Sequence, residues 1–265
     1  MTAMSRWGLR IATGVVLLFL YVPIAIIVLY AFNASRDQTW PITTWTTKWF
    51  GTALGNPDLH EALVLSLEAA VGATAVALLL GTLAALAVHR FRFFGRETVS
   101  YMIVLPIALP GIVTGMALNA TFNTFHVPFS IWTIAVGHAT FCVVTVYNNA
   151  IARMRRSSRS IEEASMDLGA TTWQTFRHVT FPVLRTALVA GGLLAFALSF
   201  DEVIVTTFTA GTQETIPLWI FNNLKLPNQR STVNVVAVFL ILLSLVPVYL
   251  AQRLASDGSG GGGRT

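Results

Sequence analysis

Residues 62–88 read ALVLSLEAAVGATAVALLLGTLAALAV, a run in which Glu68 is the single ionisable side chain. As a helix rising about 1.5 Å per residue, it is longer than the roughly 30 Å of hydrocarbon in a bilayer. No polar face recurs along it, which excludes a helix packed by one apolar stripe and otherwise facing water. Lipid is the solvent such a segment requires. Five further apolar runs, at 9–32, 99–122, 131–151, 183–205 and 233–251, have comparable length. Six spans define an all-α polytopic membrane protein, with a transmembrane domain over 1–255 and both termini on one side.

Composition agrees. Of 265 residues, 54% are hydrophobic and 11% charged, with a mean hydropathy of +0.66, whereas soluble domains carry roughly a quarter charged residues. The net charge of +5 raises nucleic acid as a partner, but that reading needs a basic patch or an aromatic stacking platform. The basic residues cluster instead at the ends of apolar runs. Taking loops alternately, thirteen of the seventeen Lys and Arg fall on the side of the termini, and Arg36, Lys48, Lys225 and Arg230 on the other. The excess makes the termini cytoplasmic. Arg6 and Arg10 ahead of 11–32 mimic a secretory signal, yet the run is too long and lacks a small-x-small cleavage site, so it reads as a retained span.

Cys142, the single cysteine, lies inside an apolar run; it allows no intrachain disulfide and belongs to no metal-ligand spacing. No catalytic constellation is present, and no G-x-x-x-x-G-K-[ST] phosphate loop, so no cofactor is expected on this chain. The first outer loop, 33–61, carries Trp40, Trp45 and Trp49, which suit the headgroup level. The tail 256–265 is Gly/Ser-rich and expected to be disordered. In the third span, Leu105-Pro106-Ile107-Ala108-Leu109-Pro110-Gly111 predicts a kink or break near the cytoplasmic half. Such a break either lines a pathway or serves helix packing.

The long cytoplasmic loop, 152–182, is the most specific segment. Ser160 followed by Glu162 and Glu163 predicts a helix start, and Gly169 its end, giving a short helix, a turn, and a second short helix that stops at the membrane. Ala164, Leu168, Trp173 and Phe176 lie among charges, an apolar face that either docks a partner or packs on the chain's own helix ends.

Glu163-Ala164-Ser165, three residues, Gly169, nine residues, then Val179-Thr180-Phe181-Pro182 resembles the loop of permease subunits of ATP-binding-cassette importers. That family's pattern is Glu-Ala-Ala, three residues, Gly, nine residues, Ile-x-Leu-Pro. Here Ser165, Val179 and Phe181 are conservative departures. The resemblance implies the type I importer permease fold and coupling to a cytoplasmic ATPase dimer through Glu163, Ala164, Ser165, Asp167, Gly169 and Pro182. It also implies ATP hydrolysis on that partner, a second permease subunit that is a different chain, a periplasmic solute-binding protein, and a bacterial inner-membrane location. Pro23, the 106–111 segment, Gly137-His138-Ala139-Thr140-Phe141-Cys142 and Leu198-Ser199-Phe200-Asp201-Glu202-Val203 are similar to the spermidine/putrescine permeases, over most of the chain. Related permeases serve opines, aminophosphonates and iron. A secondary transporter or channel explains the spans without the 163–182 loop, and a membrane-anchoring partner needs no polar groups in its spans.

Nineteen residues separate Pro182 from Asp201, lifting it about 28 Å to the outer edge of the hydrocarbon. Carboxylates cost about 2.5–3.5 kcal/mol each at mid-bilayer and less near the interface, so Asp201 and Glu202 should face water, a partner or the pathway. One reading has one of them capping a helix or pairing with Lys225 or Arg230 while the other meets solvent. The other has Asp201 attracting a polycationic solute, with Phe200 or Trp219 offering cation–π contact, Glu202 at a helix or subunit contact, and Glu68 at similar depth.

Overall fold

The computed structural model describes residues 3–36 and 38–259. Every extended element among them is helical, apart from one isolated bridge between Asn33 and Trp45. The order is α1 (Ala3–Ala31), α2 (Lys48–Leu54), α3 (Pro57–Arg90), α4 (Arg96–Ala108), α5 (Gly111–Thr124), α6 (Ile131–Arg156), α7 (Arg159–Asp167), α8 (Thr172–Thr175), a π-helical turn (Phe176–Thr180), α9 (Phe181–Phe200), α10 (Ile204–Thr209), α11 (Ile216–Asn223) and α12 (Arg230–Ser259). By length and apolarity α1, α3, α6 and the α8–α9 helix each suffice to cross a bilayer, and α4 with α5 do so as a pair bent by 102°. Arg230–Ser244 of α12 is a shorter apolar stretch at the place of the sixth run. The Gly/Ser-rich tail begins inside α12, which runs to Ser259, and residues 260–265 lie outside the described residues.

The chain divides into two compact units, residues 1–60 with 219–246, and 61–218 with 247–265. In the first, α1 is apolar on all sides and leaves Leu18 and Phe19 exposed, as a lipid-facing helix does. The loop after it is folded rather than draped: Thr46 N–H donates to the Phe32 carbonyl and Ala34 N–H to that of Thr44. Trp40 and Trp45 are exposed, in keeping with interfacial anchors. Trp49 is not such an anchor. It is buried, its indole N–H donates to the Asn33 carbonyl at 2.8 Å, and Arg36 lies over its ring. Phe50 links Phe32 to Phe239 of α12.

The second unit is held by small residues. Lipid tails compete equally for apolar side chains, so membrane helices associate where backbones can approach closely. Ala77, Cys142, Val146 and Ala195 form one buried cluster on α3, α6 and α9, and Ala85, Tyr147, Ala150, Met154 and Leu184 anchor a second. Leu65, Ala69, Ile134, Ala210 and Leu218 form a third.

Gly81 sets the α3–α6 approach: a Cβ there would lie 2.9 Å from the Val143 carbonyl oxygen and 3.0 Å from the Val146 Cβ. Backbone cannot yield as a flexible side chain does, so Gly81→Ala is expected to destabilise the protein by about 1–3 kcal/mol. Gly72→Ala, whose Cβ would meet only that of Ala135 at an ordinary 3.5 Å, should be neutral. Thermal unfolding in detergent compares them, and equal melting temperatures would remove the close approach as a determinant.

Two boundaries differ from expectation. The break in the third span lies at Leu109–Pro110, near the middle of 99–122 rather than in its cytoplasmic half. Leu109 is driven to extended geometry (φ −80°, ψ 141°), as a residue before proline is, whereas Pro106 is absorbed inside α4. The fifth span ends at Phe200 instead of 205, because Asp201 terminates α9 and 204–209 forms the separate α10.

Candidate functional site

Two regions of the second unit gather the residues singled out in the sequence. In the loop after α6, α7 starts two residues earlier than expected: Ser158, not Ser160, is the N-cap, its side chain accepting from the Ser160 N–H. Gly169 does end the helix. At φ +88° its N–H donates to the Met166 carbonyl while Ala170 N–H donates to that of Ser165, the paired bonds that close a helix through a left-handed residue.

The segment beyond is not a separate second helix. α8, capped by Thr171 with Gln174 returning the bond, passes through the π-helical turn straight into α9. Proline has no N–H and crowds the carbonyl four residues back; the wide turn before Pro182, in which Phe181 N–H reaches the Phe176 carbonyl, makes room for it. Pro182 therefore redirects hydrogen bonding without breaking the rod, and residues 172–200 run as one helix.

What ties α7 to this rod is Glu162, which sequence reasoning left out of the coupling set. Its carboxylate accepts from the Thr180 hydroxyl at 2.7 Å and pairs with Arg90 of α3 at 3.2 Å. Ser165, in the place of the pattern's second alanine, bonds to the buried Thr175 hydroxyl at 3.2 Å. Glu163, Ala164, Asp167 and Gly169 are exposed. Two of the apolar residues beside them do not fold back on the helix ends, Leu168 being 89% exposed and Trp173 65%, whereas Phe176 is half-buried with its ring 6.1 Å from that of Phe181. Trp173 stacks on Phe176 with centroids 5.6 Å apart, leaving an apolar face on the side of α7 and α8 away from the core.

At the opposite end of α9 a buried histidine organises the corner. His138 of α6 is 1% exposed. One ring nitrogen, Nδ1, lies 2.7 Å from the Ser199 hydroxyl and the other, Nε2, 2.8 Å from the Thr206 hydroxyl. Thr206 donates its proton to the Glu202 carbonyl, so it accepts from Nε2–H, and Nδ1 accepts from Ser199. α6, the end of α9 and the start of α10 are thereby held together around the turn that carries Asp201. His138 was quoted in the sequence only as part of a longer match; a histidine inside an apolar span was the available signal.

The adjacent carboxylates have different surroundings. Glu202 accepts from the Val205 N–H at 2.9 Å and so caps α10. Asp201 is exposed at the C-cap of α9, and its carboxylate has no hydrogen bond or ion pair among the described residues. A negative charge beside the free carbonyls of a helix C-terminus is unfavourable by roughly 0.3–1 kcal/mol. Nothing in its own fold recommends an acid at this point. Phe200 is half-buried and its neighbour ring is Phe196, with centroids 6.0 Å apart. Glu68 is exposed and borders a largely apolar cavity of about 540 Å³ with Val71, Ile131 and Trp132. Trp219 belongs to the first unit and is buried at 3% exposure, so it presents no open ring face for cation–π contact. Lys225, offered as a partner for the acids, lies 4.3 Å over the ring of Phe221.

Comparison with known proteins adds an independent measure. Residues 77–257 match the family described as the inner membrane component of binding-protein-dependent transport systems. The chain is 34% identical to the spermidine/putrescine transport system permease protein PotC of Shigella flexneri, over 92% of each chain. Its identity is also 34% to the putrescine transport system permease protein PotI of Escherichia coli K12, over 89% of this chain and 87% of that one. Among solved structures, a bacterial ABC transporter involved in the import of the acidic polysaccharide alginate superposes with a TM-score of 0.73, covering 97% of this chain and 98% of that one at 17% identity. At that identity the likeness concerns the fold alone.

Proposed function

Because this chain belongs to the family of inner-membrane components of binding-protein-dependent transport systems, we propose that it is the permease subunit of an ATP-driven polyamine importer, receiving putrescine or spermidine from a periplasmic binding protein. The observation that carries the cargo assignment is identity at one third of positions along nearly the whole of both chains to permeases named for those solutes. Fold is silent on this point, since a chain of the same architecture serves an acidic polysaccharide. The side chains must decide, and an Asp201 that is exposed and unpaired among the described residues suits a cation.

In this reading the chain holds no cofactor and hydrolyses nothing. A dimeric cytoplasmic ATPase docks on the exposed face of Leu168 and Trp173, and a second, different permease completes the pathway. Closure of the ATPase pushes α7, and the Glu162 links to Thr180 and Arg90 carry that displacement to α9 and α3. The termini and this loop lie in the cytoplasm, as the excess of basic residues on that side supports.

Uptake of labelled putrescine and spermidine by cells expressing the complete importer, with and without this chain, tests the function. Saturable uptake of either amine that requires the chain and ATP is expected, with an ATPase subunit co-purifying in detergent. A reporter after Ser256 should be cytoplasmic and one near Asn56 external. Uptake that persists with no ATPase would favour a secondary carrier, and uptake of opines, aminophosphonates or iron in place of amines would return the cargo to the wider family.

A further inference from the structure

The groove between α6 and α9, at the end nearest α7, contains a cavity of about 360 Å³ bordered by Arg153, Arg156 and Arg185, with Asn149 and Thr186 beside them. Arg153 and Arg156 are one helical turn apart, a spacing at which like charges repel. Arg153 Nε donates to the Val183 carbonyl at 3.0 Å. Among the described residues no carboxylate pairs with any of the three; the nearby acid Glu162 is engaged by Arg90 and Thr180. Three arginines on one cavity, exposed and without a carboxylate partner among the described residues, make it attractive to an anion.

The remaining lining identifies which kind. From Arg185 the cavity continues along α9 past Val189 and Ala190 to Leu193, eight residues or about 12 Å toward the bilayer centre. Charge is confined to the end near the membrane surface, and the wall beyond is apolar. A soluble phosphate has no use for that wall, and a cationic cargo is repelled by the arginines. A phosphate ester with hydrocarbon attached meets both halves.

We infer that this cavity binds the headgroup of an anionic glycerophospholipid from the leaflet on the α7 side, the arginines holding the phosphate and the α9 wall receiving the first methylenes of its chains. The inference stands on the cavity alone and holds whichever solute the protein carries. A lipid seated there bridges α6 to the first turns of α9, beside the junction with the coupling loop.

Native mass spectrometry of the detergent-solubilised full-length chain, offered dioleoylphosphatidylglycerol or dioleoylphosphatidylcholine, reads retention directly. Wild type should keep the phosphatidylglycerol preferentially. With each arginine near the surface contributing about fivefold, Arg156→Gln with Arg185→Gln should lower its retention about thirtyfold, and the matching lysine pair should restore most of it. Arg155→Gln, an exposed neighbour on α6 outside the cavity, removes one charge, as Arg156→Gln alone does, and should change retention little where Arg156→Gln lowers it about fivefold. Ala190→Trp, which fills the apolar part without altering charge, should also weaken it. Equal retention of the two lipids would overturn the proposal, as would a loss in Arg155→Gln equal to that in Arg156→Gln alone. Displacement of phosphatidylglycerol by millimolar inorganic phosphate would make this a site for a soluble anion instead.

Discussion

Gly169→Val is expected to reduce polyamine uptake at least tenfold while the protein remains inserted and folded. The residue closes α7 at φ +88°, where a β-branched side chain is strained by about 1–3 kcal/mol. That strain opens the two hydrogen bonds at the helix end and releases Leu168 from its outward position. Among the described residues nothing lies within 4 Å of a Cβ built there, so a clash with them is not the cause of any loss. Two causes remain: the left-handed turn itself, and close approach of the docked ATPase. Gly169→Asn separates them, since asparagine tolerates the turn but carries a Cβ. Uptake retained in the asparagine variant assigns the requirement to the turn, and uptake lost there with ATPase association weakened assigns it to the approach. Wild-type uptake in Gly169→Val would remove this turn from the coupling mechanism.

Asp201→Asn should lower uptake of labelled putrescine and spermidine by about 10- to 100-fold, the range expected when a hydrogen bond to a charged group worth about 1.5–3 kcal/mol is lost. Protein abundance and ATPase association should be unchanged, because the carboxylate has no partner among the described residues and sits unfavourably at a helix C-terminus. Glu202→Gln should behave in the opposite sense. The glutamine oxygen can still accept from the Val205 N–H but the charge at the start of α10 is lost, so stability falls by about 0.3–1 kcal/mol while uptake per folded molecule changes little. Polyamine uptake at wild-type level in the double variant would exclude both acids from cargo contact. Loss of uptake confined to Glu202→Gln would mean that α10, and not Asp201, governs the pathway.

The six apolar runs were legible because a bilayer imposes length and apolarity on every span, and both are local properties of a sequence. The 163–182 spacing was legible for a related reason: a helix, its left-handed stop and a proline at fixed intervals are set by residues close in the chain. Gly169 ends α7 as its position suggested. The same local logic misjudged what happens at Pro182. Proline usually stops a helix, and only the π-helical turn, which redistributes hydrogen bonds over five residues, lets α8 and α9 run as one. The break at Leu109–Pro110 was foreseen in kind, but which of two prolines would break the helix depended on backbone geometry at Leu109.

Sequence alone determined that this chain crosses a membrane several times, that its basic residues cluster at the ends of its apolar runs, and that one loop carries a helix and glycine stop at the spacing of an importer permease. Those properties depend on hydropathy, charge and short-range backbone preference. Tertiary structure alone decided which polar groups have partners. Glu162 and Glu163 are neighbours in sequence, as are Asp201 and Glu202, yet Glu162 bridges Arg90 and Thr180, 72 and 18 positions away. Glu202 caps α10, while Asp201 is left open. His138 meets Ser199 and Thr206 across more than sixty residues. Whether a charge in a membrane protein is structural or available to a solute depends on these long-range pairings, because low dielectric makes every unpaired polar group costly and every pairing specific.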